Sequence, residues 1–449
     1  MTADHRIVVV GGGIAGLTAA HVLGADHDVL LLEGSPAVGG KLRTVEVAGV
    51  RVDVGAEAML NRRPEGVELA RELGLPVVHP TAAASRVWSR GALRPLPRSL
   101  MGVPFDLDEL AASGVLSAEG LDRARREVLT PWTGDDVSVG DLVAARLGEE
   151  VVDRLVEPLL GGVYAGRAHE ISTYAAMPQL AAMAARGSLL EQAAAVPASD
   201  VPVFAGVEGG LGSLPEALVA AGRFELRTGA VVRALRHVPG GLELTVGSAR
   251  DPETLRADRV MLATPPAAAA RLLGAVAPDS AAALATVGTA SVAVTTLAFR
   301  TEDLPDLAGM SGFLVPPVEG LRIKASTFSF AKWDWVRASG DGLLVLRTSL
   351  GRHGEETSLQ ATDAQLVAAS LADLRATVGI RSAPVETHVQ RWGGALPQYS
   401  VGHQALVARV RAGLVGSGVT VCGAAYDGVG IPAVIGSARR AAALAVAAE

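Results

Sequence analysis

Near its start the chain reads RIVVVGGGIAGLTAAHVLGADHDVLLLE, and no other stretch narrows its fold so far. Arg6 to Val10 is a short apolar run, the pattern of a parallel strand buried on both faces. Glycines follow at Gly11, Gly13 and Gly16, and from Ile14 apolar residues recur at helical spacing. A second apolar run closes on Glu33. The unit is strand, turn, helix, strand, with each glycine meeting one steric demand. Gly11 permits the tight turn, Gly13 lets backbone approach a pyrophosphate, and Gly16 lets the helix pack closely on the strand. With Gly12, Ile14 and Ala15 they form the N-terminus of a helix, whose N–H groups and dipole favour phosphate. Glu33, with Gly34 beside it, stands 22 residues after Gly11, where a carboxylate accepts a ribose 2′-hydroxyl and repels a 2′-phosphate. The pattern predicts a dinucleotide site.

The remaining composition is that of a multidomain soluble protein. At 449 residues, and roughly 100 to 200 residues per domain, two to three domains are expected. No run of apolar residues is long enough to span a bilayer; even MLATPPAAAARLLGAVAP is broken by Pro265, Pro266 and Arg271. The opening MTADHRIVVV enters a strand directly, without the pattern of an export signal, so the cytoplasm is the expected location. The single cysteine, Cys422, excludes an intramolecular disulfide and a cysteine-cluster metal site, and the nine histidines have no metal-ligand spacing, so no metal is expected. A formal charge of −7 disfavours a nucleic-acid partner.

From about Pro95 to Ala195 apolar residues recur every three or four positions with charges between them, which predicts a helical block. Strand patterns follow in VVRALRHV, GLELTV, DRVMLATPP, ASVAVTTLAFR, LRIKASTFSF and DGLLVLRTSL. The expected fold class is α/β: a Rossmann-like FAD-binding domain from discontinuous segments, a mixed-sheet substrate domain and a helical insertion. The expected segments are 1–52, 205–267 and 385–449 for the first, 53–90 and 268–384 for the second, and 91–204 for the third.

FAD rather than another dinucleotide is implied by resemblance. Gly39-Gly40-Lys41 followed by Arg43 and Thr44 is similar to the extended motif of the FAD-binding amine oxidase and protoporphyrinogen oxidase superfamily. Asp53 to Ala58, with Gly55, Ala56, Glu57 and Ala58, resembles the strand and turn that run beside the flavin there. CGAAYDGVGIPAVIGSARRAA resembles the return of the chain over the flavin, with Val429, Gly430 and Ile431 presenting backbone to it. Trp392 resembles the tryptophan preceding that return, and Val232 matches the position whose backbone pairs with adenine. The block RLVEPLLGGVYAGRAHEISTYAAMPQL resembles that of bacterial porphyrinogen oxidases, most strongly the coproporphyrinogen III oxidases, and the likeness extends over nearly the whole chain.

That likeness implies oxygen-dependent oxidation of coproporphyrinogen III to coproporphyrin III in heme biosynthesis, with porphyrinogen and dioxygen as partners. It also implies contact with downstream pathway enzymes and at most peripheral membrane contact. Arg62 and Arg63 are candidates for the substrate propionates, and Leu314 and Thr327 for the walls around the macrocycle. No catalytic side chain is identified, and His169 reads as a surface residue. Protoporphyrinogen IX oxidase stays open as an alternative. So do an amine oxidase or carotenoid desaturase, for which Tyr426 and Tyr399 are the candidate aromatics, and a flavin-binding protein without turnover.

Overall fold

The computed structural model describes residues 6–129, 133–197, 199–307 and 309–447. The glycine-rich opening forms β1 (Arg6–Val10), α1 (Ile14–Leu23) and β2 (Asp28–Leu32). Their residues are almost wholly buried, which is why the sequence is apolar without alternation. The strands join a parallel five-stranded sheet ordered Glu225–Arg227, β2, β1, Arg259–Leu262, Val419–Val421. Widely separated parts of the chain thus share one sheet. A three-stranded antiparallel sheet, Val232–Val238, Gly241–Gly247 and Pro252–Ala257, shares an apolar core with it. Pro252–Ala257 carries no apolar run; Pro252 begins the strand, where proline is tolerated.

A seven-stranded sheet stands beside this unit. It comprises β3 (Ala84–Ser89), β4 (Ala92–Pro95), β5 (Thr289–Arg300), β6 (Met310–Leu314), β7 (Ile323–Thr327), β8 (Leu343–Leu350) and β9 (Glu386–Pro397), in the order β9-β5-β8-β7-β6-β3-β4. All pairs are antiparallel except β6 with β3. Segment boundaries differ from expectation in three places, the first being the expected substrate segment 53–90, whose Met59, Val67, Leu69 and Ala70 pack in one core with β1 and α1. β9 opens the 385–449 segment assigned to cofactor binding, yet it pairs along its length with β5; β4 lies in the expected helical block, yet it closes this sheet. For both strands the pattern is the same whichever sheet accepts it.

One face of the sheet packs on the helix Asp363–Val378, and the other meets the helical block. That block begins its helices with oxygen-bearing caps: Asp106, Ser117, Ser138, Ser172 and Ser188 each accept a backbone N–H. Its helix α2 (Glu157–Tyr164) packs against β6 and β7.

The chain ends in α3 (Ile431–Ala447), which lies against α1. Tyr399, 2% exposed in the core of the helical block, reaches the turn before α3. Its hydroxyl donates to Ala424 O at 2.5 Å and accepts from Gly428 N at 2.8 Å, while its ring stacks on His403. Tyr399→Phe should therefore strand the Gly428 N–H and cost about 1 to 3 kcal/mol in denaturant melts; an unchanged midpoint would show that this hydroxyl does not hold the turn.

Candidate active site

The first glycine turn is packed to its steric limit on three sides. A Cβ on Gly11, where φ is +109°, would lie 2.7 Å from Ala263 O; one on Gly16 would lie 1.8 Å from Gly11 O; one on Gly12 would meet Glu33 at 2.9 Å. Gly13 differs, since its Cβ would meet nothing within 4 Å. It is the N-cap of α1, offers no side chain to the free N–H groups, and α1 has no acid in its first turn. Open space in front of an uncapped helix end fits a pyrophosphate. The second glycine pair leans on the first: Gly39 N donates to Gly12 O at 2.8 Å, and Gly40 lies against Gly13.

Glu33 stands at the edge of this cradle, accepting from Gly12 N at 2.6 Å and Ser35 N at 2.7 Å. Beside it, Ala230 N donates to Glu33 O and Val231 touches Gly34, so the start of the Val232 strand lies where the sequence pattern places the adenosine half.

The Asp53–Ala58 strap runs next to the second glycine pair. Val54 N and Ala56 N donate to Arg43 O and Lys41 O at 2.9 and 3.0 Å. Trp392 Nε1 donates to Val54 O at 2.9 Å, and Gly55 is hemmed between Lys41 O and the Trp392 ring, 2.0 and 3.2 Å from a Cβ placed there. Burial depresses the Lys41 ammonium below its usual range. Glu57 points away from the strap into protein. It accepts from Ser329 at 2.5 Å and Lys332 at 3.1 Å and pairs with Arg347 at 3.2 Å. Burial alone would raise its carboxyl, but Arg347, Lys332 and Ser329 hold it down at about 2. Its side chain is thus committed to the seven-stranded sheet, leaving only its backbone to face a cofactor. Asp53, by contrast, is pushed up to about 6 by burial, against the pull of Thr44, Leu211 N and Arg347.

Val429, Gly430 and Ile431 bring the N-terminus of α3 to the same region. Gly423 lies 3.6 Å from the Ala15 side chain, measured from a Cβ built on it, and Val429 packs against the helical block. Asp427 fixes the turn through Ser437 at 2.5 Å, Arg411 at 2.6 Å and Arg440 at 3.2 Å; these contacts outweigh burial and lower its carboxyl. Tyr426 packs in the core beneath the parallel sheet and Tyr399 in the helical block, so the two rings do not form an aromatic pair.

Leu314 and Thr327 share one face of the sheet with Arg347, because Thr327 pairs with Arg347 and Leu314 with Ala325 two residues earlier. That face looks toward α2, where a Cβ on Gly162 would lie 3.9 Å from Leu314. Arg62 and Arg63 lie at the start of the helix Pro64–Glu72, which packs on the first turn of α3. Arg62 is exposed, and Arg63 pairs with Glu65 at 2.7 Å, next to Gly436 of α3. His169 is an exposed residue bridging Asp141 and Glu149, each at 2.7 Å; burial lowers its pKa, but these two acids reverse that and raise it. Arg347 and Lys332 escape sequence reasoning, since nothing in their own segments marks a partner about 280 residues away.

A parallel sheet, a glycine cradle at a helix N-terminus and a second helix end closing over it define a dinucleotide-dependent oxidoreductase. The family model described as flavin containing amine oxidoreductase matches residues 14–446. A coproporphyrinogen III oxidase from Mycobacterium tuberculosis is 39% identical over 96% of this chain and 95% of its own length. One from Bacillus subtilis is 30% identical over 95% of each. A crystal structure from Exiguobacterium sp. 255-15, named for protoporphyrinogen oxidase, superposes with a TM-score of 0.88 at 30% identity over 100% of both chains. The chain belongs to the flavin-containing amine oxidoreductases and, within them, to the family of the bacterial coproporphyrinogen III oxidases. Its cofactor is FAD.

Two measurements test the site. Gly13→Val fills the one open side of the cradle and should yield protein without bound flavin, read from the flavin absorbance of the purified chain; full occupancy would contradict the assignment. Glu57 ionises near 2 in the fold against an ordinary 4.5, so its contribution to stability is complete above about 4.5 and is lost as pH falls toward 2. Asp53 has the opposite sign: raised from 3.8 to about 6, it costs stability as pH rises through that interval. Glu57→Gln should cost about 3 to 5 kcal/mol near neutrality, by leaving Arg347 and Lys332 without their anion, and should flatten the acid limb of stability measured against pH.

Proposed function

We propose that this protein oxidises coproporphyrinogen III to coproporphyrin III, with dioxygen as the terminal acceptor and hydrogen peroxide as co-product. The observation that supports this reading most directly is the 39% identity, over nearly the full length of both chains, to the Mycobacterium tuberculosis coproporphyrinogen III oxidase. FAD, when bound, accepts two electrons per cycle and returns them to dioxygen. Removing six electrons and six protons from the macrocycle, four hydrogens from its meso carbons and two from its pyrrole nitrogens, takes three cycles and three molecules of dioxygen.

The chain's own residues bind and orient. In this reading Gly11, Gly12, Gly13, Ile14, Ala15 and Gly16 hold the pyrophosphate, Glu33 the ribose, Val232 the adenine, and Gly55, Ala56 and the α3 turn the flavin. The macrocycle lies between the Leu314 and Thr327 face and α2, a cleft in which geometry supplies much of the rate. Tyr399, Tyr426 and Glu57 are each spent on structure, which accords with chemistry carried by the cofactor. Burial of the Tyr399 and Tyr426 rings in two packed cores disfavours an amine oxidase cage. The division into cofactor, substrate and helical parts is also part of this proposal, with β9 and β4 in the substrate sheet. Among the described residues no helix is long and apolar enough to cross a membrane.

Purified protein should turn over coproporphyrinogen III with peroxide release, faster than protoporphyrinogen IX; absence of turnover on both would defeat the reading. The arginines are tested in the same assay. Arg63 is 43% exposed and already paired, so Arg63→Ala should weaken coproporphyrinogen binding by at most about sixfold, as for a solvent-screened contact of about 0.2 to 1 kcal/mol. A larger loss would mean that the propionate site closes around it on binding.

A further inference from the structure

Strand β7 carries a charge in an unusual place. Lys324 is 5% exposed, and neither a hydrogen bond nor an ion pair joins its ammonium to any described residue. The pairing of β7 with β8 runs Ile323 to Leu350 and then Ala325 to Ser349, so Lys324 is the extra residue of a bulge. Bulges re-aim side chains and recur beside active sites. Here the bulge falls beside Ala325, which pairs with Leu314 and lies on the face shared with Thr327, and Lys324 is the residue before it.

The surroundings make its isolation more pronounced. The charge nearest in effect is another cation, Arg352, itself 6% exposed and donating to Val315 O at 3.1 Å. Arg352 has acids to answer it, Glu355 at 4.0 Å and Glu157 of α2. Lys324 has none. The helix facing this strand leaves room: a Cβ on Gly161 would meet nothing within 4 Å, and one on Gly162 would meet only Leu314.

We propose that Lys324 binds a carboxylate of the substrate at the inner end of the cleft between β7 and α2, with Arg352 reinforcing the positive field. The inference rests on the porphyrinogen reading above and names the residue that reads a propionate side chain there. Burial holds the Lys324 ammonium down to about 7, with Arg352 adding to the effect, so a carboxylate brought beside it would be answered by a full charge in a poorly hydrated place, where such pairs are strongest. A buried lysine with no partner costs stability and is expected where a ligand supplies the missing charge.

The test compares the FAD-loaded wild type with Lys324→Met, which keeps much of the side-chain volume. Fluorescence titration with coproporphyrin III should show at least about tenfold weaker binding by the variant, about 1.4 kcal/mol. The tetramethyl ester of the same porphyrin, which has no carboxylate, should bind both proteins equally, and thermal stability should be unchanged or higher in the variant. Lys324→Gln provides the same readout if the methionine variant loses its flavin. Equal affinity for the tetra-acid in wild type and variant would overturn the proposal while wild-type turnover of coproporphyrinogen leaves the functional reading intact; a wild type without that turnover would overturn both.

Discussion

A full negative charge on Glu57, shut away from water, determines how the two sheets meet. Such a charge survives burial only when opposite charges and hydrogen bonds replace its hydration. Ser329, Lys332 and Arg347 do this, and all three belong to the seven-stranded sheet and the short helix after β7. Arg347 also donates to the carbonyls of Asp53 and Gly55, so one guanidinium holds the side chain and the backbone of the same strap. Lys332 in turn sits over the rings of Phe204 and Trp333. The path of the strap is therefore set by the seven-stranded sheet, and the two cannot be displaced independently.

How far the sequence discloses this depends on range. The β1-turn-α1-β2 unit is legible because each of its demands is met within a few residues of where it arises: Gly16 must be small because of Gly11 O, and Gly12 because of Glu33. The strap at Asp53 and the return at Val429 are legible only by likeness to relatives, because their partners lie across the chain. Glu57 reads as one more cofactor-side residue until Arg347 and Lys332 are seen beside it. β9 joins the seven-stranded sheet although it opens the 385–449 segment, for the same reason, since alternation marks a strand without naming its neighbour. Lys324 leaves a faint mark, the one charge in IKAST, but the bulge at which it sits has no signature in sequence.

The titratable groups around the cleft divide by whether they are satisfied. Asp427, Glu57 and Arg352 have partners, and the tyrosine hydroxyl of Tyr399 is engaged on both sides. Satisfied groups make a rigid wall, and rigidity suits a reaction in which one flexible macrocycle must be presented repeatedly in a fixed relation to the flavin.

The placement of Val419–Val421 has a consequence for biosynthesis. This strand completes the parallel sheet by covering Arg259–Leu262, whose Val260, Met261 and Leu262 are at most 1% exposed. During synthesis that inner strand must wait, with an open hydrogen-bonding edge and apolar faces, until some 160 further residues have emerged, because its neighbour lies that far along the chain. The glycine turn between β1 and α1 is thus made early, while the turn before α3 that lies beside it follows only after Val421.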